Sequence, residues 1–475
     1  MKRSIRKITA LTLALLLTGG AVSCGEKEPE QPDSQEESSA PDDVDQDKQV
    51  IDIACLCQMP NDFKNTLKTL DSKPYTVNFI DYFNDAVNEY PDLKDVDWTE
   101  IRDTARQNLH LDMVSGKTPD LVIAYMDAML PLVDDGYFAD LYQFMSEDTV
   151  PKEAFLPNVL EGFERDGMLP LICTGFSLKT VVAKTELVGE DMENWTLDEM
   201  INYYDSMPED ISFLDGWEVI YQLPDFMLTK IMRDCIDLEN GTCDFHGAFL
   251  DAFEFIERAN LKESLDFSTM SDTEISEYFN ARDTDLKDGR SLLCPMYLNG
   301  INQFAAQNIY FNFGGADVTF VGHPSTDGVG TVTNNSYMEI YGILDNSDCK
   351  QEAWDFMCMY FSVGSQVKNT TTGATGFPVI EAAIDEAMEQ SSIVSGSINS
   401  AIMTIDGEIT EQIDDKTKQA IEDYIRSVKI EPYFDPMLEN LVREEFMAVV
   451  DGVKTPEEAA DMLENRISLY LNENS

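Results

Sequence analysis

Between residues 50 and 125 the chain alternates apolar runs of strand length with stretches of helical pattern. Val50 to Cys57 is the first such run, and Gln58-Met-Pro-Asn-Asp62 breaks it. Phe63 to Leu70 then has a helical pattern, and Tyr75 to Tyr82 is rich in strand formers. Thr99 to Ser115 reads as a long helix stopped by Gly116. Pro119-Asp120 introduces the third strand, Leu121 to Tyr125, and Met129 to Val133 begins another helix that Gly136 ends. Strand, helix, strand, helix, strand is the order of βαβ units, so a largely parallel sheet and the α/β class are expected.

Further along, Met168 to Ile172 and Thr180 to Ala183 read as strands around Gly175. Thr196-Leu-Asp-Glu199, Ser271-Asp-Thr-Glu274 and Thr455-Pro-Glu-Glu458 have the spacing of capping boxes. In each, hydroxyl and glutamate satisfy free amides at a helix start. Residues 196–282 are expected to be mainly helical, and strand signals return at Ser291–Met296, Val318–Val321 and Met338–Leu344. From Asp348 the pattern is helical again, apart from a loop at Asn369–Pro378. Two strand clusters separated by helices suggest two α/β lobes that the chain crosses between more than once.

The formal net charge of −56 over 475 residues excludes a nucleic-acid binder, which needs a basic footprint. It also argues against the protein body lying on an anionic membrane. The acids are spread along the chain, so solubility is the simplest reading of them. Histidine is scarce: His110, His246 and His323 sit in no catalytic motif, and no P-loop, G-x-S-x-G or H-E-x-x-H occurs. Cys55 and Cys57, two apart in a strand, share a face and do not easily pair. Cys173, Cys294 and Cys358 lie among apolar neighbours and read as core. Cys235 and Cys243, flanking Asn240-Gly241, could close a small disulfide loop.

The N-terminus fixes where the chain works. Lys2, Arg3, Arg6 and Lys7 precede an apolar run from Ile8 to Leu17, then Gly19-Gly20-Ala21-Val22-Ser23-Cys24. That is a secretory signal with small residues at its end, too short to span a bilayer. It resembles a bacterial lipoprotein signal, in which the Cys24 thiol takes a diacylglyceryl group and the chain is cut after Ser23. An ordinary signal peptide with a chance cysteine is the alternative. Loss of residues 1–23, with four basic groups and no acids, would take the net charge to −60. Residues 24–48 are Glu, Asp, Gln, Ser and Pro with almost nothing apolar, and read as a disordered acidic tether.

Several segments, in order, resemble the extracellular solute-binding proteins, family 1, of sugar-type ABC importers. They are Pro119-Asp-Leu-Val-Ile-Ala-Tyr125, Gly136-Tyr-Phe-Ala-Asp-Leu141, Asp166-Gly-Met-Leu-Pro-Leu171 and Trp195-Thr-Leu-Asp-Glu-Met200. Gly322-His-Pro-Ser325, Lys350-Gln-Glu-Ala-Trp-Asp-Phe356, Gly376-Phe-Pro-Val379 and the tail from Gly452 to Leu471 continue the likeness. The resemblance implies a type II periplasmic-binding-protein-like clamshell with interlobe hinge strands and a helical C-terminus. Residues 49–172 and 294–342 are expected in lobe 1, and 173–293 and 343–475 in lobe 2. The implied protein is a monomeric receptor on the extracellular face of the membrane, held by its lipid anchor only. It would pass a small solute, most simply a carbohydrate, to the transmembrane subunits of an ABC permease. No cofactor or metal is implied. A secreted glycosidase or lyase is the alternative, and a surface adhesion or scaffold module a third reading.

In such a fold cleft residues follow the C-terminal ends of strands. Gln58 and Asn61 follow the first strand, and Tyr125 and Asp127 the third. Asp127 could instead cap the next helix, and Tyr125 could be core-edge. Phe176 lies at the first crossover and is equally suited to the core. Tyr297 and Asn299 precede Gly300, which permits close approach. Asn334 and Tyr337 lie before the last crossover strand, and Trp217 and Tyr221 could form a stacking platform.

Overall fold

The structure, a computed structural model, describes residues 48–58, 70–90, 98–214, 223–238, 240–261, 269–301, 313–334, 338–372, 376–391, 393–394, 411–412 and 415–473. The chain begins with strands β1 (Gln49–Cys55), β2 (Tyr75–Asp81) and β3 (Leu121–Ala124). Next come β4 (Ile172–Cys173), β5 (Leu178–Lys184) and the short pair β6 (Ile236–Asp237) and β7 (Thr242–Cys243). Strands β8 (Leu293–Leu298), β9 (Val318–Phe320), β10 (Val332–Thr333) and β11 (Ile340–Ile343) follow. The helix anticipated at 63–70 lies mostly outside the described residues.

One sheet has the order β2-β1-β3-β11-β4. Strands β1, β2 and β3 are parallel, with Ile51 opposite Val77 and Ile53 opposite Leu121. Strand β11 arrives late in the chain and runs antiparallel, setting Ile340 opposite both Ala124 and Cys173. The second sheet has the order β10-β5-β8, with β9 also paired to β5. All three partners run antiparallel to β5, through Val332 and Lys179, Leu178 and Leu298, and Val182 and Phe320.

Each sheet is buried by its own helices. Ile51, Ile53, Val122 and Ile123 share a core with Trp354 and Phe356 of the helix Lys350–Cys358 and with Ile421 and Ile425 of Asp415–Ser427. Val181 and Ala183 share a second core with Trp195, Phe226, Phe253, Phe446 and Leu463. Alternate residues of β5 face opposite ways, so Leu178 and Val182 join the first cluster instead. The expected capping boxes at Thr196–Glu199 and Ser271–Glu274 are both complete. At the third, Glu458 N–H donates to Thr455 Oγ1 and Thr455 N–H to Glu458.

Two expectations are corrected. Strands β8, β9 and β10 pair with β5 and not with the first sheet, so 294–342 is not a lobe 1 segment. The return to the first lobe comes only after β10. Residues 343–475 do not all join lobe 2 either. The helix Lys350–Cys358 and the residues Ala383 to Met388 and Ile421 to Ile430 pack in the first core. Only the final pair, Pro436–Val450 and Pro456–Glu473, completes the second. Cys235 and Cys243 are free thiols. Cys243 stands opposite Ile236, and its Sγ lies 3.5 Å from Ser468 Oγ on the final helix.

Candidate functional site

Among the described residues three chain passages join the lobes, and they are bonded to one another. The first is Thr174 to Ser177, between β4 and β5. Asn334 N–H, just past β10, donates to Ser177 O at 2.8 Å, and Ser177 Oγ donates to Asn334 O at 3.2 Å. The third passage follows Asp415–Ser427, and there Glu431 N–H donates to Thr333 Oγ1 at 2.9 Å. Thr331 Oγ1 lies 2.9 Å from Thr180 Oγ1 and 2.7 Å from the Tyr424 hydroxyl. Buried Gln366 ties the first passage down, donating to Thr174 O at 2.7 Å and accepting from Val379 N–H at 2.8 Å. This arrangement is a hinge.

Beside the hinge, each sheet presents one polar edge. The first-lobe edge collects the C-terminal ends of β1, β2 and β3 and the start of antiparallel β11. Gln58 is exposed there. Asp81 accepts from Asn84 N–H at 3.0 Å and so caps the helix Tyr82–Asn88. Tyr125 leads into the helix Met126–Asp134, its carbonyl accepting from Ala128 and Met129 N–H at 3.1 Å. This is why that helix starts earlier than the pattern from Met129 predicted. Asp127 does not cap it from outside. One oxygen accepts from Arg102 Nε at 2.5 Å and the other from Ala128 N–H at 2.9 Å. Glu339, which the sequence reading missed, stands at the start of β11. Burial pushes its carboxyl up to about 7, against a hydrogen bond from the Tyr341 hydroxyl.

The second-lobe edge collects the start of β5 and the end of β8. Lys179 and Tyr297 are direct cross-strand neighbours, with Lys179 Nζ 5.4 Å from the ring centre. The Tyr297 hydroxyl donates to Asp225, in the first turn of the helix Leu223–Asp234. Arg443 binds the other Asp225 oxygen and lies 3.6 Å from Glu439. Burial opposes the Asp225 charge, but Arg443, Lys179 and the Tyr297 hydroxyl hold its pKa below the ordinary value. Burial and Asp225 push Tyr297 upward, so it stays a donor.

The structure therefore brings Gln58, Tyr125 and Asp127 to one edge, and Tyr297 and Asn299 to the other. Phe176 is corrected. It is 0% exposed, its ring lies 5.6 Å from Phe377, and its backbone is bonded both ways to Phe377. Asn334 is 5% exposed and belongs to the hinge bonding. Asn61, Trp217, Tyr221, Tyr337 and Cys24 lie outside the described residues. Lys179, Asp225, Glu339 and Arg443 were missed. The strand-end rule would have found Lys179 had β5 been known to run antiparallel to β8. Arg443 meets Asp225 across 218 residues and has no local signal.

The thiols near these edges are not nucleophiles. Burial pushes Cys55 and Cys173 up to about 12, and Cys57 well above its ordinary value. His323 is buried with burial holding it down to about 4, so it is neutral. Elsewhere, an open hollow of about 480 Å³ lined by Tyr142, Met145, Lys152 and Glu153 touches neither edge. Among the described residues no helix is long and apolar enough to cross a membrane.

The fold is that of two-lobe extracellular solute-binding proteins. The sugar-binding protein MalE from Xanthomonas citri matches at a TM-score of 0.54 and 13% identity, covering 90% of this chain and 98% of that one. A family 1 extracellular solute-binding protein from Alicyclobacillus acidocaldarius matches at 0.52 and 12%, covering 89% and 98%. The cyclic alpha-maltosyl-1,6-maltose binding protein from Arthrobacter globiformis matches at 0.52 and 13%, covering 90% and 100%. No protein-family model and no curated protein matches the sequence.

Proposed function

We propose that this protein is a membrane-anchored extracellular receptor that captures a carbohydrate by lobe closure and delivers it to an ABC importer. The observation that carries this reading is the paired polar edges flanking a three-passage hinge, in a fold shared with sugar-binding proteins. Residues 1–23 act as the export signal, Cys24 carries the lipid, and 24–48 form the tether. Sugar hydroxyls suit Asp127, Asn299 and the Asp225–Tyr297 pair, and a sugar's CH face suits tyrosine rings. Binding of this kind needs closure and no chemical step, so the protein is not an enzyme.

A thermal-shift screen of the purified protein against mono- and oligosaccharides, with product analysis of each hit, tests it. A shift with intact sugar supports a receptor, by mass action on the folded state. Sugar breakdown would favour a glycosidase or lyase instead. Replacement of Cys24 by alanine should move the protein from membrane to soluble fractions; retention would remove the lipid anchor.

A further inference from the structure

Glu339 is a carboxylic acid placed where the protein offers it almost nothing. Extending the antiparallel register by one residue beyond Ile340 puts it level with Tyr125, just past β3, and Thr174, just past β4. It is therefore on the polar edge of the first lobe, directly after the second hinge passage. Among the described residues its hydrogen-bond partner is the Tyr341 hydroxyl at 3.3 Å, long for an O–H···O bond. No lysine or arginine among them pairs with it. The titratable groups around it are Cys55 at the end of β1, Cys57 just past it, and Tyr341, which also faces Tyr360. Asp81 and Asp127 act on the same Cys57 thiol. All of these are neutral or acidic. A half-buried carboxyl with one weak bond and no cation is poorly satisfied, so a donor from outside the protein is what would complete its bonding.

We propose that the Glu339 carboxylate is a solute-gripping group of the cleft, accepting hydrogen bonds from adjacent hydroxyls of a neutral carbohydrate. This rests on the receptor reading above. Two carboxylate oxygens match two neighbouring hydroxyls. The carboxyl gives up its proton to solvent as the sugar enters, because only the ionised form is acceptor-only, with both oxygens strong acceptors for the two hydroxyls. Binding and deprotonation are then linked. With a free-state value of about 7, affinity should fall as pH drops below neutrality.

The test is calorimetry of the full-length protein with maltotriose, xylotriose and N,N′-diacetylchitobiose, between pH 5.5 and 8.5. Each titration is run in two buffers of different ionisation heat. The expected result is a sugar whose affinity drops about tenfold per pH unit below neutrality, with up to one proton released per site. Glu339→Gln should flatten that profile and weaken binding at pH 8.5 without lowering the melting temperature. A sugar that binds with a flat pH profile and no proton release would overturn this role and leave the receptor reading standing. Failure of all three sugars at every pH would overturn both together.

Discussion

Asp127 has two partners already, Arg102 on one oxygen and the backbone of its own helix on the other. Each carboxylate oxygen keeps a lone pair, so the arrangement orients the group without using it up. Asp127→Asn keeps the shape and removes the charge that Arg102 aligns. It should weaken sugar binding more than tenfold by calorimetry with the far-UV spectrum unchanged; full affinity would take Asp127 out of the site. His323 makes a different argument. The residue is 2% exposed, Nδ1 faces the Phe226 carbonyl at 3.1 Å, and Nε2 has no partner among the described residues. The unfolded chain protonates this histidine near its ordinary 6.5, whereas burial holds the folded value near 4. Stability is thus intact above 6.5 and is lost as pH falls from 6.5 towards 4. Urea midpoints of wild type and His323→Asn at pH 7.5 and 5.0 should show the wild type's advantage shrinking at the lower pH. An equal gap at both would mean that His323 titrates normally.

At the scale of elements, the hinge depends on a turn that only glycine fits. Gly376 has φ of +90°, and a Cβ there would lie 2.2 Å from the Phe176 carbonyl oxygen. That oxygen accepts the 2.7 Å bond from Phe377 N–H that pins the first passage. Gly376→Ala should therefore destabilise the protein by about 1–3 kcal/mol, read from urea unfolding. A neutral outcome would show that this contact does not hold the folded hinge. The same elements show what local sequence can reveal. Strands β1 to β3 were legible because runs of strand formers are bounded by proline and glycine, and the helix starts at Thr196 and Ser271 because a capping box is complete within four residues. The sheet that β8 to β10 join was not legible, because Ser291–Met296 carries no mark of which strand lies beside it. Phe176 failed for a related reason: a phenylalanine after a strand looks the same in core or cleft, and distant Phe377 decides. The β6–β7 pair is too short to leave a pattern. At the candidate site, strand ends pointed to Tyr125, Asp127, Tyr297 and Asn299, while Glu339 and Arg443 depend on pairings across the chain.

For the whole molecule, a net charge of −56 bears on closure itself. The first-lobe edge carries Asp81, Asp127 and Glu339, and the second Asp225 and Glu439, against Arg102, Lys179 and Arg443. Closing the lobes moves these edges, and the acidic surfaces around them, towards each other. Like charges then approach within a distance that salt screens: the Debye length is about 30 Å at 0.01 M and about 10 Å at 0.1 M. A neutral sugar has no ionic contact of its own to lose. Any salt dependence of its binding therefore reports on the work of bringing two acidic bodies together. Raising sodium chloride from about 20 to about 300 mM should strengthen binding of an uncharged oligosaccharide several-fold, with most of the change at the low end. Small-angle scattering should show the radius of gyration falling on binding at both salts. If affinity instead falls with salt, attraction between the edges outweighs repulsion between the lobes, and Lys179 and Arg443 become the residues to neutralise next.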